Sequence, residues 1–184
     1  MNCWRKSVCL LGLAALVCLA ATAARAEDFK TEPGFVRLDD GKSLDGWTGN
    51  VQGWSIQDGA IHLDVKKARG NIYSKTTHSK DCVIRLQFRA TRGADSGAFI
   101  HGKQLQVRDY PNAGPKEYAA PARPAGQWND LEFDITGGVA AVRLNGKVIE
   151  KAWRIGNNPQ QSIGLQREVG DFDFRYIRLM EKNK

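Results

Sequence analysis

The sequence predicts an all-β sandwich or barrel, on three observations. Apolar and polar residues alternate over short runs, as in Asp130-Leu131-Glu132-Phe133-Asp134-Ile135, and a period of two marks a strand with one buried face. Asp58-Gly59 and Asn145-Gly146 separate such runs with the preferred chemistry of a two-residue hairpin turn. Beyond residue 26 no segment holds a helical period for three turns, and short strands at this spacing favour a sandwich or barrel.

Residues 1–26 read as a secretory signal peptide. Arg5 and Lys6 give a positive start, Val8 to Ala21 is apolar apart from Gly12, and Ala24-Arg25-Ala26 is a small-x-small cleavage site. The apolar run is short for a membrane span. Cleavage after Ala26 is therefore expected, giving a secreted or periplasmic chain with no membrane attachment. Residues 27–184 are then one domain, long enough for a proper core. Cleavage removes Arg5, Lys6 and Arg25 and no acid, taking the net charge from +7 to +4. The remaining cations are scattered, with no basic stripe interleaved with aromatics, which argues against a nucleic-acid partner. Of four cysteines only Cys82 stays, so no intramolecular disulfide is expected. Cys82 opens an apolar strand and is expected to be a buried small hydrophobe.

The elements follow in order. Gly34 to Leu38 is a strand before a turn at Asp39-Asp40-Gly41. Trp54 to Gln57 and Ala60 to Leu63 form the first hairpin, Asn71 to Ser74 is a strand, and Val83 to Ala90 is a longer one. Ala98 to His101 and Gln104 to Arg108 meet at Gly102-Lys103. The segment Pro111 to Gln127 holds four prolines and two glycines and reads as a long loop, a kind that is often functional. Asp130 to Ile135, the hairpin Val139 to Glu150, Ile163 to Gln166 and Phe172 to Met180 complete the chain. Trp54 and Trp128 begin strands, which points to core packing.

The strand after Gly102 is the most informative. Leu105 and Val107 point one way, while Gln104, Gln106 and Arg108 point the other, so one face is apolar and the other carries long hydrogen-bonding groups suited to a sugar. Asp95, Asp109, Glu117, Glu168 and Asp171 are the carboxylates near it in the strand order, and glycoside cleavage needs such groups on facing sides of the substrate. Each is also an ordinary surface acid. Tyr110 and Tyr118 are the aromatics of the long loop and candidates to stack on a sugar ring. Asp95-Ser96-Gly97 lacks the context of a serine nucleophile. His62, His78 and His101 show no paired zinc spacing, and a solvated turn is the simpler reading of Asp39-Asp40 than a calcium site. No metal or cofactor is expected.

Several motifs together carry a resemblance. Leu38 to Trp47, Trp54 to Gly59, Ser96 to Ile100, Gly126 to Asn129, Leu144 to Gly146, Leu165-Gln166 and Phe174 to Ile177 resemble, in order and spacing, the 3-keto-disaccharide hydrolase domain family. The resemblance implies a concanavalin-like jelly-roll sandwich. It also implies a carbohydrate or glycoside ligand and hydrolysis of 3-keto-glycosides. A 3-keto group acidifies the C2 proton; a base removes it, the leaving group is expelled, and water adds afterwards. Against the family pattern, Gln104 stands where a glutamate is usual, His101 where an arginine is usual, and Glu168 near the place of a histidine. Gln106, Asp109, Gln166 and Arg175 match. The expected catalytic residues are thus Asp109, with His101 and Glu168 as substitutes. The expected binding residues are Gln104, Gln106, Arg108, Tyr118, Gln166 and Arg175. A non-catalytic lectin-like module and an envelope protein using the sandwich for protein contacts are the rival readings.

Overall fold

The computed structural model describes residues 29–157 and 161–182. The expected signal peptide lies outside them. The first strands are short: β1 (Val36–Arg37), β2 (Trp47–Gly49), β3 (Trp54–Gln57) and β4 (Ala60–Leu63). Then come β5 (Ile72–Thr77), β6 (Cys82–Ala90), β7 (Asp95–Ile100) and β8 (Lys103–Arg108). Two helical turns, α1 (Tyr110–Ala113) and α2 (Lys116–Ala119), precede β9 (Asn129–Thr136), β10 (Val139–Leu144), β11 (Lys147–Arg154), β12 (Ser162–Leu165) and β13 (Phe172–Glu181). The strands make two antiparallel sheets. One runs β11-β10-β9-β6-β13-β4-β3 with β1 also on β13, and the other runs β2-β5-β12-β7-β8. The all-β sandwich expected from the sequence is the fold.

Local turn chemistry accounts for the hairpins. Asp58 (φ 50°) and Gly59 (φ 75°) join β3 to β4, and Asn145 (φ 48°) and Gly146 (φ 80°) join β10 to β11. Both pairs are left-handed at both positions, as a type I′ turn requires, and its twist matches the flanking strands. The core lies between the sheets. Phe88, Phe133, Phe172 and Phe174 of the larger sheet and Ile72, Ile100, Val107, Ile163 and Leu165 of the smaller are almost fully buried. Burying each such side chain contributes roughly 1.5–3 kcal/mol relative to exposure. Cys82 is buried as expected, and burial pushes its thiol up to about 12.

Strand β13 serves two neighbours on one edge. Its first residues, Phe172 to Phe174, pair with β4, while Arg178 and Leu179 pair with β1. A bulge with Tyr176 at φ 54° separates the two stretches. The freed Tyr176 and Ile177 amides donate to the Asp39 carboxylate at 3.0 and 2.6 Å. Asp39 is therefore buried, not solvated, because a buried amide needs an acceptor; Asp40 alone makes the turn, accepting from the Lys42 and Ser43 amides. The segment before β1 crosses the outer side of the larger sheet. There Phe29 stacks on Tyr176 at 4.0 Å, and Glu32 takes two bonds from the Arg178 guanidinium, which holds its carboxyl down at about 2.

The stretch read as a loop from Pro111 to Gln127 carries α1 and α2 instead, each a single turn. It is held to the sandwich by Gly126 N to Ala90 O and Asn145 Nδ2 to Pro121 O. Trp54 is in the core as expected. Trp128 is not: it lies half-buried on the outer side of the larger sheet, with the Arg89 and Arg175 guanidinium carbons 4.8 and 3.9 Å from its rings.

Candidate functional site

The outer face of the five-stranded sheet is built by alternation. On β8 Leu105 and Val107 enter the core, so Gln104, Gln106 and Arg108 face out. On β7 Ala98 and Ile100 are core, so Asp95, Gly97 and Phe99 face out, and on β12 Gly164 does so beside Tyr73 of β5. The register aligns them in rows. Asp95 pairs with Arg108, Gly97 with Gln106, and Phe99 with both Gln104 and Gly164.

A hydrogen-bonded network crosses these rows. Gln104 Nε2 donates to the amide oxygens of Gln106 and Gln166, both at 2.7 Å. Gln106 Nε2 donates in turn to the Asp95 carboxylate and, at 3.4 Å, to Glu168 Oε2. A carboxylate only accepts, so the two acids fix which way the Gln106 amide points, and Gln104 follows from it. Asp95 is paired with Arg108 at 2.8 Å, and Arg108 also donates to Ala113 O at 2.7 Å. Glu168 has no salt bridge among the described residues. It is brought beside Asp95 by a two-way backbone bridge between Asp95 and Val169, at 2.8 and 2.9 Å.

Next to the amides lie two half-buried aromatic rings. Tyr73 and Phe99 have centroids 6.2 Å apart and flank Gly164. A Cβ on Gly164 would sit 2.7 Å from the Tyr73 ring and 3.0 Å from Phe99, so only glycine lets both rings settle against the sheet. Beyond Tyr73 the face opens into a hollow of about 540 Å³ edged by Thr48, Lys75, Thr77 and Ser162. A smaller hollow on the other sheet, about 190 Å³, is bordered by Arg85, Glu132 and Arg143. Its charges are already spent on one another at 2.6–2.7 Å, which marks it as sheet surface.

Gln104, Gln106, Arg108, Gln166 and Glu168 thus share one face. The other expected residues stand apart from it. Asp109 follows Arg108, so the same alternation turns it inward. It is 3% exposed, and its carboxylate accepts from the Gly93 amide at 2.9 Å and from Asn112 at 2.7 Å. His101 occupies the β7–β8 turn at φ 49°, which takes it out of the strand alternation, and it is buried against His78. Tyr118 packs edge-on against Tyr110 and donates to Glu150; burial and that carboxylate push its phenol above the usual range. Tyr110 is likewise core, donating to Gln106 O at 2.6 Å. Arg175 lies on the opposite sheet, bonded to Gln87 Oε1 at 2.9 Å and stacked on Trp128. Phe99 and Tyr73 carried no separate signal in the sequence; Phe99 sits in phase with Asp95 and Gly97, whereas Tyr73 arrives through strand pairing. Among the described residues, no three His, Cys, Asp or Glu side chains stand together as a metal-ligand set.

Asp109 therefore has a structural role, and its removal is expected to act on stability. Asp109→Ala strips the Gly93 amide of its buried acceptor and should cost about 1–3 kcal/mol. Urea titration measures that loss, while turnover per folded molecule should stay at the wild-type value.

Residues 34–180 match the 3-keto-alpha-glucoside-1,2-lyase-like domain, and the chain belongs to the 3-keto-disaccharide hydrolase family. Fold and family define a carbohydrate-active protein of glycoside-hydrolase-like kind. A Parabacteroides distasonis protein provisionally named a glycosyl hydrolase shares the fold at a TM-score of 0.67 and 15% identity, over 82% of this chain and 95% of that one. A Bacillus subtilis protein with a galectin-like fold aligns at a TM-score of 0.57 and 12% identity, over 82% and 97%. A Bacillus licheniformis β-glucanase aligns at 0.51 and 12%, over 83% and 100%. These likenesses are of fold, and they identify the sandwich as the concanavalin-like jelly roll. No curated protein matches the chain.

Proposed function

We infer that the protein is a secreted or periplasmic enzyme that cleaves 3-keto-glycosides on the outer face of the five-stranded sheet. One observation carries this reading: two carboxylates converge on the Gln106 amide, one neutralised by Arg108 and one with no salt bridge among the described residues. Glu168 is the second and is assigned as the base. Asp95 is occupied by the Arg108 guanidinium at 2.8 Å, which leaves Glu168 as the carboxylate available to the substrate. Glu168 takes the C2 proton, and the electron pair moves toward the 3-keto oxygen. Arg108 and the Gln166 side-chain N–H groups stabilise that oxygen as charge develops. The C1–O bond then breaks, the leaving oxygen gains a proton, and water adds across the new double bond to complete hydrolysis. Tyr73 and Phe99 offer apolar ring faces to the sugar. The family's chemistry and the cleavage site after Ala26 support the same reading.

The test is a 3-keto-disaccharide offered to the mature protein beside its unoxidised parent. Release of a monosaccharide is expected from the ketone alone, since only the ketone acidifies C2–H. Equal cleavage of the parent would rule out elimination. Calorimetric binding of the ketone without release would leave a lectin-like module, a role that Gln104 in place of the usual acid favours.

A further inference from the structure

We propose that this face selects glycosides whose leaving group carries a negative charge, and that Lys75 reads the charge. The proposal rests on the reading above and adds the substrate class.

The argument starts from how charge is divided over the face. Both acids, Asp95 and Glu168, lie at one end with Gln106, Gln166 and Arg108. The uncharged middle holds Gln104, Phe99, Gly164 and Tyr73. The far end is the hollow edged by Thr48, Thr77, Ser162 and Lys75, where Lys75 is the single charged residue. It is exposed, and among the described residues its ammonium has no hydrogen-bond or ion-pair partner; only its backbone amide is engaged, on Gly46 O at 2.9 Å. Outward residues along a strand recur about every 6.6 Å, roughly the length of one sugar ring. A ring held by the amides with its C2 proton at Glu168 therefore places its leaving group over Tyr73 and Phe99. Substituents on that group then extend into the hollow.

The chemistry of the hollow suits an anion. Thr48, Thr77 and Ser162 bring hydroxyls that can donate to it, Lys75 supplies a positive charge, and no acid lies on the lining to oppose it. The opposite end carries the Asp95 and Glu168 carboxylates, which would oppose the same anion there. The face therefore both orients the substrate and discriminates by charge.

Two 3-keto-glucosides differing in one group test this: the 3-carboxyphenyl and the 3-carbamoylphenyl glycosides, alike in size and distinct in charge. With wild-type protein at low salt, kcat/KM should be about three- to five-fold higher for the carboxylate, the worth of one exposed ion pair. The preference should fade as ionic strength rises. Lys75→Met should abolish it, bringing kcat/KM for the two substrates to the same value, and Lys75→Arg should retain it. Equal values in the wild type, or a preference that survives Lys75→Met, would overturn the proposal while cleavage of the carbamoyl substrate still upheld the enzymatic reading. Neither cleavage nor calorimetric binding of either compound would overturn both.

Discussion

Glu168→Gln is expected to lower kcat for a 3-keto-disaccharide by about 10²–10⁴-fold, the usual contribution of a positioned general base. The amide keeps the shape of the side chain but cannot accept the C2 proton. Binding should survive, because the bonds of Gln104 to Gln106 and Gln166 remain and the Asp95 carboxylate still orients the Gln106 amide when Glu168 is neutral. Stability should also survive, since Glu168 is half-buried and carries no salt bridge among the described residues. Burst or steady-state release of the monosaccharide gives kcat, calorimetry gives affinity, and a urea titration confirms the fold. The paired variant Asp95→Asn should behave differently. It loses the 2.8 Å partner of Arg108, so it should weaken binding and turnover together. Wild-type turnover by Glu168→Gln would remove the assignment. A loss in Asp95→Asn confined to kcat would transfer the role to Asp95.

What the sequence makes legible here is local, and what it hides is not. The hairpins at Asp58-Gly59 and Asn145-Gly146 depend on two residues each and are readable without any neighbour. The polar face of β8 depends on a period of two within six residues and is equally readable. Followed one step further, that alternation already turns Asp109 inward, although the residue seems well placed by its position in the chain. His101 escapes the alternation because its left-handed φ of 49° belongs to a turn. The meeting of Asp95 with Glu168 is of another kind. It is made by a backbone bridge between segments more than seventy residues apart, and nothing in either segment encodes the partner. Tyr73 reaches the face in the same way, through the pairing of β5 with β12 across a bulge. Gln104 is an intermediate case. Its departure from the family's glutamate is plain in the sequence, but the consequence needs the structure. As an amide donating to two amide oxygens it is a hub, and a carboxylate there would face those same oxygens until both amides turned round.

Acidification from pH 7 to pH 5 is expected to cost the fold about 2 kcal/mol, through the buried pair His78 and His101. Their rings lie 4.4 Å apart and are 2% and 1% exposed. His78 Nδ1 lies 3.0 Å from Ser79 O and 3.2 Å from His101 Nε2, which lies 3.1 Å from His78 O, so the neutral pair has its hydrogen-bond partners at these two nitrogens. The remaining nitrogens, His78 Nε2 and His101 Nδ1, are buried with no partner among the described residues. Adding a proton there creates a cation without solvent or an acceptor. Burial accordingly holds the His78 imidazole down at about 4, with the neighbouring ring opposing its charge further, and burial lowers His101 too. In the unfolded chain both rings titrate near 6.5. Between that value and about 4 the unfolded state binds the proton that the folded state refuses, so stability is complete above 6.5 and falls as the pH drops through the window. Glu32 acts later: its depressed carboxyl contributes stability above 4.5 that disappears only between 4.5 and about 2. Urea midpoints between pH 7 and 5 therefore separate the histidines from Glu32, and their difference between wild type and a His78 variant reports on the pair. A midpoint constant over that range would contradict the assignment, and so would His78 ring protons whose NMR shifts titrate above pH 5 in the folded protein. His78→Asn should flatten most of the slope, because it removes the imidazole that burial holds down at about 4 from the proton balance.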